Sequence, residues 1–472
     1  MTAPREPGRP AYAGREAPAA TGPVTRPDGR AARVGGTSAT PGVRVSHGRE
    51  PHEDPPVTPE DGAREHRAAD AVPALRGGVA DSGVTRARAT HARATDSGAR
   101  RRLDGVDAAR AVALVGMASV HILPVMTTAG TETLAGAVAA GRASALFAVL
   151  AGVGVALSTG GRTPPARGRP HVAAAAGLLV RGALVALVGL ALVELDPPVA
   201  VILAYYGLLF CLATPLVRLR ARTLGVLAAV WCVLGPVASH VLRAGREAWP
   251  GDQPGFVALA APGELLRELT LTGYYPVLPW LTYLLAGMAV GRLDLRSPRV
   301  AAALVGGGAA VAVAAWAGSV LLLGPGGGAQ VLGSDLAERR YGTVPTDTWW
   351  WLAVEAPHTG TPFDLAHTTG TALLVLGVML LLARAAPVVV WPLAAVGAMP
   401  LTLYTLHVTA LALFPVEAAQ AVGTSAGALL VTHLLAALTI GVTVRAAGRR
   451  GPLEALVRAM SGGARRVVAG PR

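Results

Sequence analysis

The sequence contains no lysine, only two cysteines and few aromatic residues, and each scarcity narrows what the chain can be. All 42 basic side chains are therefore arginine. Two cysteines in 472 residues exclude a disulfide framework and a multi-cysteine zinc site. Aromatic residues make up 4% of the chain and charged residues 15%, where an ordinary soluble domain is about 25% charged. Nucleotide-binding P-loops, dinucleotide glycine patterns and metalloprotease helix motifs are missing as well, and no metal site is expected. What abounds is Ala, Val, Leu and Gly: 52% of residues are hydrophobic and the mean hydropathy is +0.46. That excess is too evenly spread for one soluble core. It predicts an all-α, polytopic integral membrane protein.

Composition shifts near residue 103. Residues 1–102 are rich in Pro, Gly, Ala, Arg and Thr and hold no long apolar run. Such a segment cannot bury enough apolar surface to offset its chain entropy, so a disordered cytoplasmic tail is expected. It lacks the apolar centre of a signal peptide. Residues 103–460 form the expected membrane domain, and 461–472 a basic cytoplasmic C-terminal tail. About ten spans are predicted, at 108–126, 139–158, 172–193, 199–216, 223–243, 275–291, 300–323, 367–386, 390–414 and 424–444. Each is near the ~20 residues a helix needs to cross a bilayer. The proline-interrupted stretch 387–415 could be two pieces. Cys211 and Cys232 fall inside spans and read as small apolar residues.

The arginines orient the chain. Arg162, Arg167, Arg169, Arg218, Arg220, Arg222, Arg292, Arg296, Arg299, Arg384, Arg445 and Arg449 all fall on one side if the N-terminus is cytoplasmic. Loops 127–138 and 194–198 on the other side hold none. Both termini are therefore expected inside, in a plasma membrane. Basic residues spread over membrane-flanking loops form no compact patch, so nucleic acid is excluded as a partner despite the net charge of +13. Two outer loops are long, 244–274 and 324–366. The second carries Trp349, Trp350 and Trp351, residue types that commonly anchor at a membrane interface.

Ionisable groups inside spans are costly, and so they point to function. Of the seven histidines outside the tail, His121, His240, His358, His367 and His407 map to the outer half or outer loops. In the first span Arg110 and His121 lie eleven residues apart, about three turns and ~16 Å along one helix face. A cation at the inner mouth suits phosphate, and a neutral imidazole deeper in suits a general base. Taken alone, Arg110 reads more simply as an anchor paired with Asp107. Arg142 stands on the outer side against the charge rule and calls for a carboxylate or ligand partner. His358 and Asp364 could form an oriented base pair, or Asp364 could cap the helix that follows. His367 is close by. Tyr404 and His407, three apart, share a face and could line one cavity or be hydrogen-bonded core groups.

The first span, with Asp107-Ala-Ala-Arg110 and His121, resembles the opening of the transmembrane acyltransferases. Ala145 to Gly152, Pro276 to Arg292, and Gly397-Ala-Met-Pro-Leu-Thr-Leu-Tyr404-Thr-Leu-His407 are similar to bacterial proteins with a heparan-α-glucosaminide N-acetyltransferase-like domain. The ending Gly451-Pro-Leu-Glu454 is similar to related bacterial membrane proteins. The resemblance implies transfer of an acyl group, acetyl foremost, from cytoplasmic acetyl-CoA to an extracytoplasmic acceptor such as a glycan. It implies that His121 is the catalytic histidine, with His358 and His407 as alternatives, and that Arg110 helps hold the acyl-CoA. The lipid bilayer is the remaining partner. A transporter or flippase with a polar outer cavity is the other reading, and a non-catalytic membrane scaffold a third.

Overall fold

The computed structural model describes residues 103–245 and 253–470. The expected disordered segment 1–102 lies outside the described residues. Within them the fold is all-α, with no strand and one isolated bridge between Met126 and Glu132. The helices that build it are α1 (Asp104–Ile122), α2 (Arg142–Ser158), α3 (Arg169–Val193), α4 (Leu203–Ala213), α5 (Ala221–Arg243) and α6 (Val277–Gly291). They continue as α7 (Pro298–Leu323), α8 (Pro362–Ala385), α9 (Pro387–Gly397), α10 (Pro400–Leu413), α11 (Ala426–Ala446) and α12 (Pro452–Ala469). Among the described residues seven helices are long and apolar enough to cross a bilayer, counting α2 together with the short helix Leu134–Ala139 before it. The bent pair α9 and α10 makes eight. The other two predicted spans are the shorter apolar helices α4 and α6.

Apolar area alone gives helices little reason to associate in lipid, so close packing of small residues has to do it. Gly152 and Gly287 let α2 and α6 meet backbone to backbone, since a Cβ at Gly287 would collide with the carbonyl oxygen of Val149. Gly397 does the same for α9 against Asp107 of α1. One charged side chain also ties the basic end together. Arg292, just past α6, donates to the carbonyl oxygens of Ala156 (3.0 Å), Thr159 (3.3 Å) and Gly161 (2.7 Å), and to that of Val217. It thus ties the turn that follows α2, with its Thr159 and Gly161 carbonyls, to the turn at Val217.

The α9–α10 pair bends by 62°. Pro400 at the first position of α10 removes one donor, and Met399 before it is held out of the helical region. The next two free amides are met from fifty residues away. Glu454 accepts from the backbone N–H of Leu401 (2.7 Å) and of Thr402 (3.1 Å), and from the Thr402 hydroxyl (2.6 Å). Its carboxylate is the cap of α10, placed by the Gly451-Pro-Leu-Glu454 turn into α12. That helix packs along α3 and runs through Ala469. The segment 461–469, expected as a tail, is thus the second half of a docked helix. Arg465 fastens it by donating to the carbonyl of Ser158 at 2.8 Å.

Candidate functional site

At the arginine-rich end, α1, α2, α3, α4, α10 and α12 surround a cavity of about 1170 Å³. Arg110, Arg162, Arg181, Arg296, Arg450, Arg458, Arg465 and Arg466 line it, against Asp107, Asp294 and Glu454. Arg110 is ion-paired with Asp107 at 2.6 Å, the simple reading of that pair, and still reaches the cavity wall. Gly154 marks where the cations converge, because a Cβ there would lie 3.4 Å from Nη2 of Arg110 and 3.9 Å from Nη2 of Arg181. Arg181 is also within Coulombic range of Arg465 and Glu454, and its guanidinium stacks on Phe210. Like charges gathered in a cavity repel unless an anion joins them. The deep wall is Phe147, Leu203, Tyr206 and Tyr404. Tyr404 is fully buried, and its hydroxyl accepts from the Ile202 N–H at 3.4 Å.

One turn beyond Tyr404 on α10, His407 Nε2 lies 3.1 Å from His121 Nδ1, and the two rings stack. Arg110 and His121 therefore share one helix but occupy different surroundings. Arg110 faces the cavity and His121 faces another histidine. The other nitrogen of His121, Nε2, has no hydrogen-bond partner among the described residues. His358 is within Coulombic range of this ring.

A second polar group gathers at the opposite end. Arg142 finds its expected carboxylate in Glu355, at 4.0 Å, and His367 Nδ1 stands 3.6 Å from the same oxygen. Nδ1 of His367 also donates to the Ala312 carbonyl at 3.2 Å. Burial raises the Glu355 carboxyl above its ordinary range, while Arg142 opposes that shift. The expected His358–Asp364 pair is not made. Nε2 of His358 instead accepts from the Gly141 N–H at 3.1 Å. Burial, helped by the Arg339 guanidinium, lowers the imidazole to about 4, so it is neutral near pH 7 with its proton on Nδ1. Nor is Asp364 the N-cap of α8. Thr361 is the cap, accepting from the Asp364 N–H at 3.1 Å, and Asp364 Oδ2 accepts from Gly360 N–H at 2.9 Å. The Asp364 carboxylate thus reaches back to the residue before the cap, and its Oδ1 is left buried without a partner. Trp351 is no interfacial anchor: it is 3% exposed, under the Arg340 guanidinium. Trp349 is exposed and packs on His240.

The sequence reading missed Arg181, Glu355 and the arginines of α12. Arg181 had a signal, since it is a charge in the middle of a 25-residue apolar helix. Arg458 and Arg465 had none, because only docking of α12 turns them inward. Among the described residues no three His, Cys, Asp or Glu side chains come together as a metal site.

These features define a polytopic α-helical membrane protein with a cationic cavity and buried histidines. Residues 102–323 match the family model described as heparan-alpha-glucosaminide N-acetyltransferase, catalytic. The similarity covers a little under half the length of the chain, and the match suggests membrane acetyltransferase activity. The matched stretch ends with α7. It includes Asp107, Arg110, His121, Arg142 and Arg181, while His358, Asp364, His367, Tyr404 and His407 lie beyond it. No curated protein matches the chain.

Proposed function

We propose that the protein transfers an acetyl group from acetyl-CoA to an acceptor on the far side of the membrane, a sugar or glycoconjugate. The observation that carries this is the convergence of Arg110, Arg181 and Arg465 on one cavity whose deep wall, at Tyr404, is one helical turn from the His121–His407 pair. The arginines would hold the nucleotide phosphates of the donor at the cytoplasmic face. The acyl-bearing arm would extend past Tyr206 and Tyr404 toward His121. There the acceptor oxygen or nitrogen attacks the thioester carbonyl, His121 Nε2 takes its proton, the carbon–sulfur bond breaks, and the proton passes to the leaving thiolate. Arg142, His367 and Asp364, with Glu355, would bind the acceptor. His358 is poorly suited as the base, because its Nε2 already accepts from Gly141. In this reading both termini are cytoplasmic and the membrane is the plasma membrane.

The bent α9–α10 pair is the feature a transporter would use, its free helix N-terminus turned to a solute anion. Here Glu454 occupies that N-terminus with a carboxylate of the chain itself, which favours chemistry over transport.

The test is binding and turnover of acetyl-labelled acetyl-CoA by the full chain in liposomes, with amino sugars and glycans as acceptors. Release of CoA is expected, falling about 10²-fold or more in His121→Ala with binding retained. Folded protein that binds no acetyl-CoA would overturn the proposal and favour transport.

A further inference from the structure

His433, on α11, lies outside both the matched region and the motifs that suggested function. Its Nδ1 is 2.9 Å from the carbonyl oxygen of Leu429. A carbonyl only accepts, so Nδ1 carries the hydrogen and Nε2 of the neutral ring is a bare lone pair. That Nε2 is buried and has no partner. The neighbouring ring is His407, edge-on with centroids 5.2 Å apart, and its Nδ1 is likewise buried without a partner. The other nitrogen of His407 is the one 3.1 Å from His121.

We infer that His433 is a positioning residue that fixes, through His407, which nitrogen of His121 is free to take a proton. Two adjoining rings each hold one unpartnered buried nitrogen, and one of the two is a lone pair. A direct bond between them forms only if His407 Nδ1 bears the hydrogen. His407 Nε2 is then an acceptor, and His121 must donate from Nδ1. The lone pair of His121 is left on Nε2, the nitrogen with no partner among the described residues. With the opposite tautomer two buried lone pairs would face each other and His121 Nε2 would bear a hydrogen, useless as a base. The Leu429 carbonyl thus sets the protonation pattern of three rings in sequence, as outer partners of metal-bound or catalytic histidines do elsewhere.

The catalytic meaning of this relay rests on the proposed acetyl transfer, but its test does not. The full chain, labelled with ¹⁵N-histidine and embedded in bilayers, is read by solid-state NMR, with His121 assigned through His121→Gln. The expected wild-type spectrum has His121 protonated on Nδ1 and bare on Nε2. His433→Leu is expected to populate the other His121 tautomer and to lower acetyl transfer about tenfold. His433→Gln, which both donates and accepts, is expected to restore the wild-type pattern. A wild-type His121 protonated on Nε2 overturns the inference without any variant. So does a His433→Leu protein whose His121 signals are unchanged. Loss of acetyl-CoA binding by the wild type would instead remove the proposed reaction and leave the tautomer result standing.

Discussion

His358 occupies the left-handed backbone region at φ 63°, which residues with a Cβ seldom adopt, and its neighbour Gly141 has φ 69°. The imidazole is held there by accepting from the Gly141 N–H, a bond that exists only while Nε2 is unprotonated. This has a consequence for stability. In the unfolded chain a histidine titrates near 6.5, and in the fold His358 is lowered to about 4. Between those values the unfolded state binds the extra proton, so stability rises with pH there. The contribution of His358 is complete above about pH 6.5 and is lost as pH falls toward 4. Thermal unfolding in detergent from pH 7.5 to 4.5 is expected to show this decline, and His358→Gln to flatten it. An undiminished slope in that variant would assign the decline to other groups. Glu355 moves oppositely: burial raises its carboxyl, and protonating it would free Arg142 and His367 from their shared oxygen.

At the scale of helices, the short α10 carries both Tyr404 and His407, and its start is held by groups remote in sequence. Glu454→Ala removes the cap for Leu401 and Thr402, and a lost cap costs about 0.5–2 kcal/mol. Glu454→Gln keeps one acceptor oxygen and is expected to fall between. The drop should be visible as a lower unfolding midpoint, together with a weakened His121–His407 contact in the histidine spectrum. Gly397→Ala is expected to cost about 1–3 kcal/mol, because α9 and α1 would have to separate around Asp107. An Ala at Gly225, which has open space, is the control and should cost far less. These elements also mark what the sequence could disclose. Hydropathy located the long apolar segments, and the Gly451-Pro-Leu-Glu454 turn was recognisable as a motif. Its task was not, since a cap spanning fifty residues leaves no local pattern. Asp364 looked like an N-cap for the same reason in reverse: Asp and Thr both suit that position, and only the backbone shows that Thr361 holds it. Glu355 meets the expectation of a carboxylate partner for Arg142, but no periodicity selects Glu355 from a loop.

For the whole molecule, the cavity is assembled from segments that begin more than three hundred residues apart, with α12 as its last wall. A membrane domain gathers guanidiniums in this way against their mutual repulsion and desolvation, a cost that a bound polyanion offsets. Arg181 is the most telling of them, being central in α3, stacked on Phe210 and surrounded by Arg110 and Arg465. If it serves the donor, Arg181→Met should weaken acetyl-CoA binding about tenfold or more, the loss of one charge-assisted hydrogen bond. The same change should leave the ligand-free protein as stable as the wild type or more so, because one like charge has left the cluster. Arg465→Ala should weaken binding similarly but also lower stability, since it releases α12 from the Ser158 carbonyl. Titrations at increasing salt separate these effects, as the wild-type affinity should fall more steeply with salt than that of Arg181→Met. An Arg181→Met protein that binds acetyl-CoA normally but unfolds at lower temperature would make Arg181 a structural group. The donor phosphates would then have to be held by Arg110 and the arginines of α12 alone.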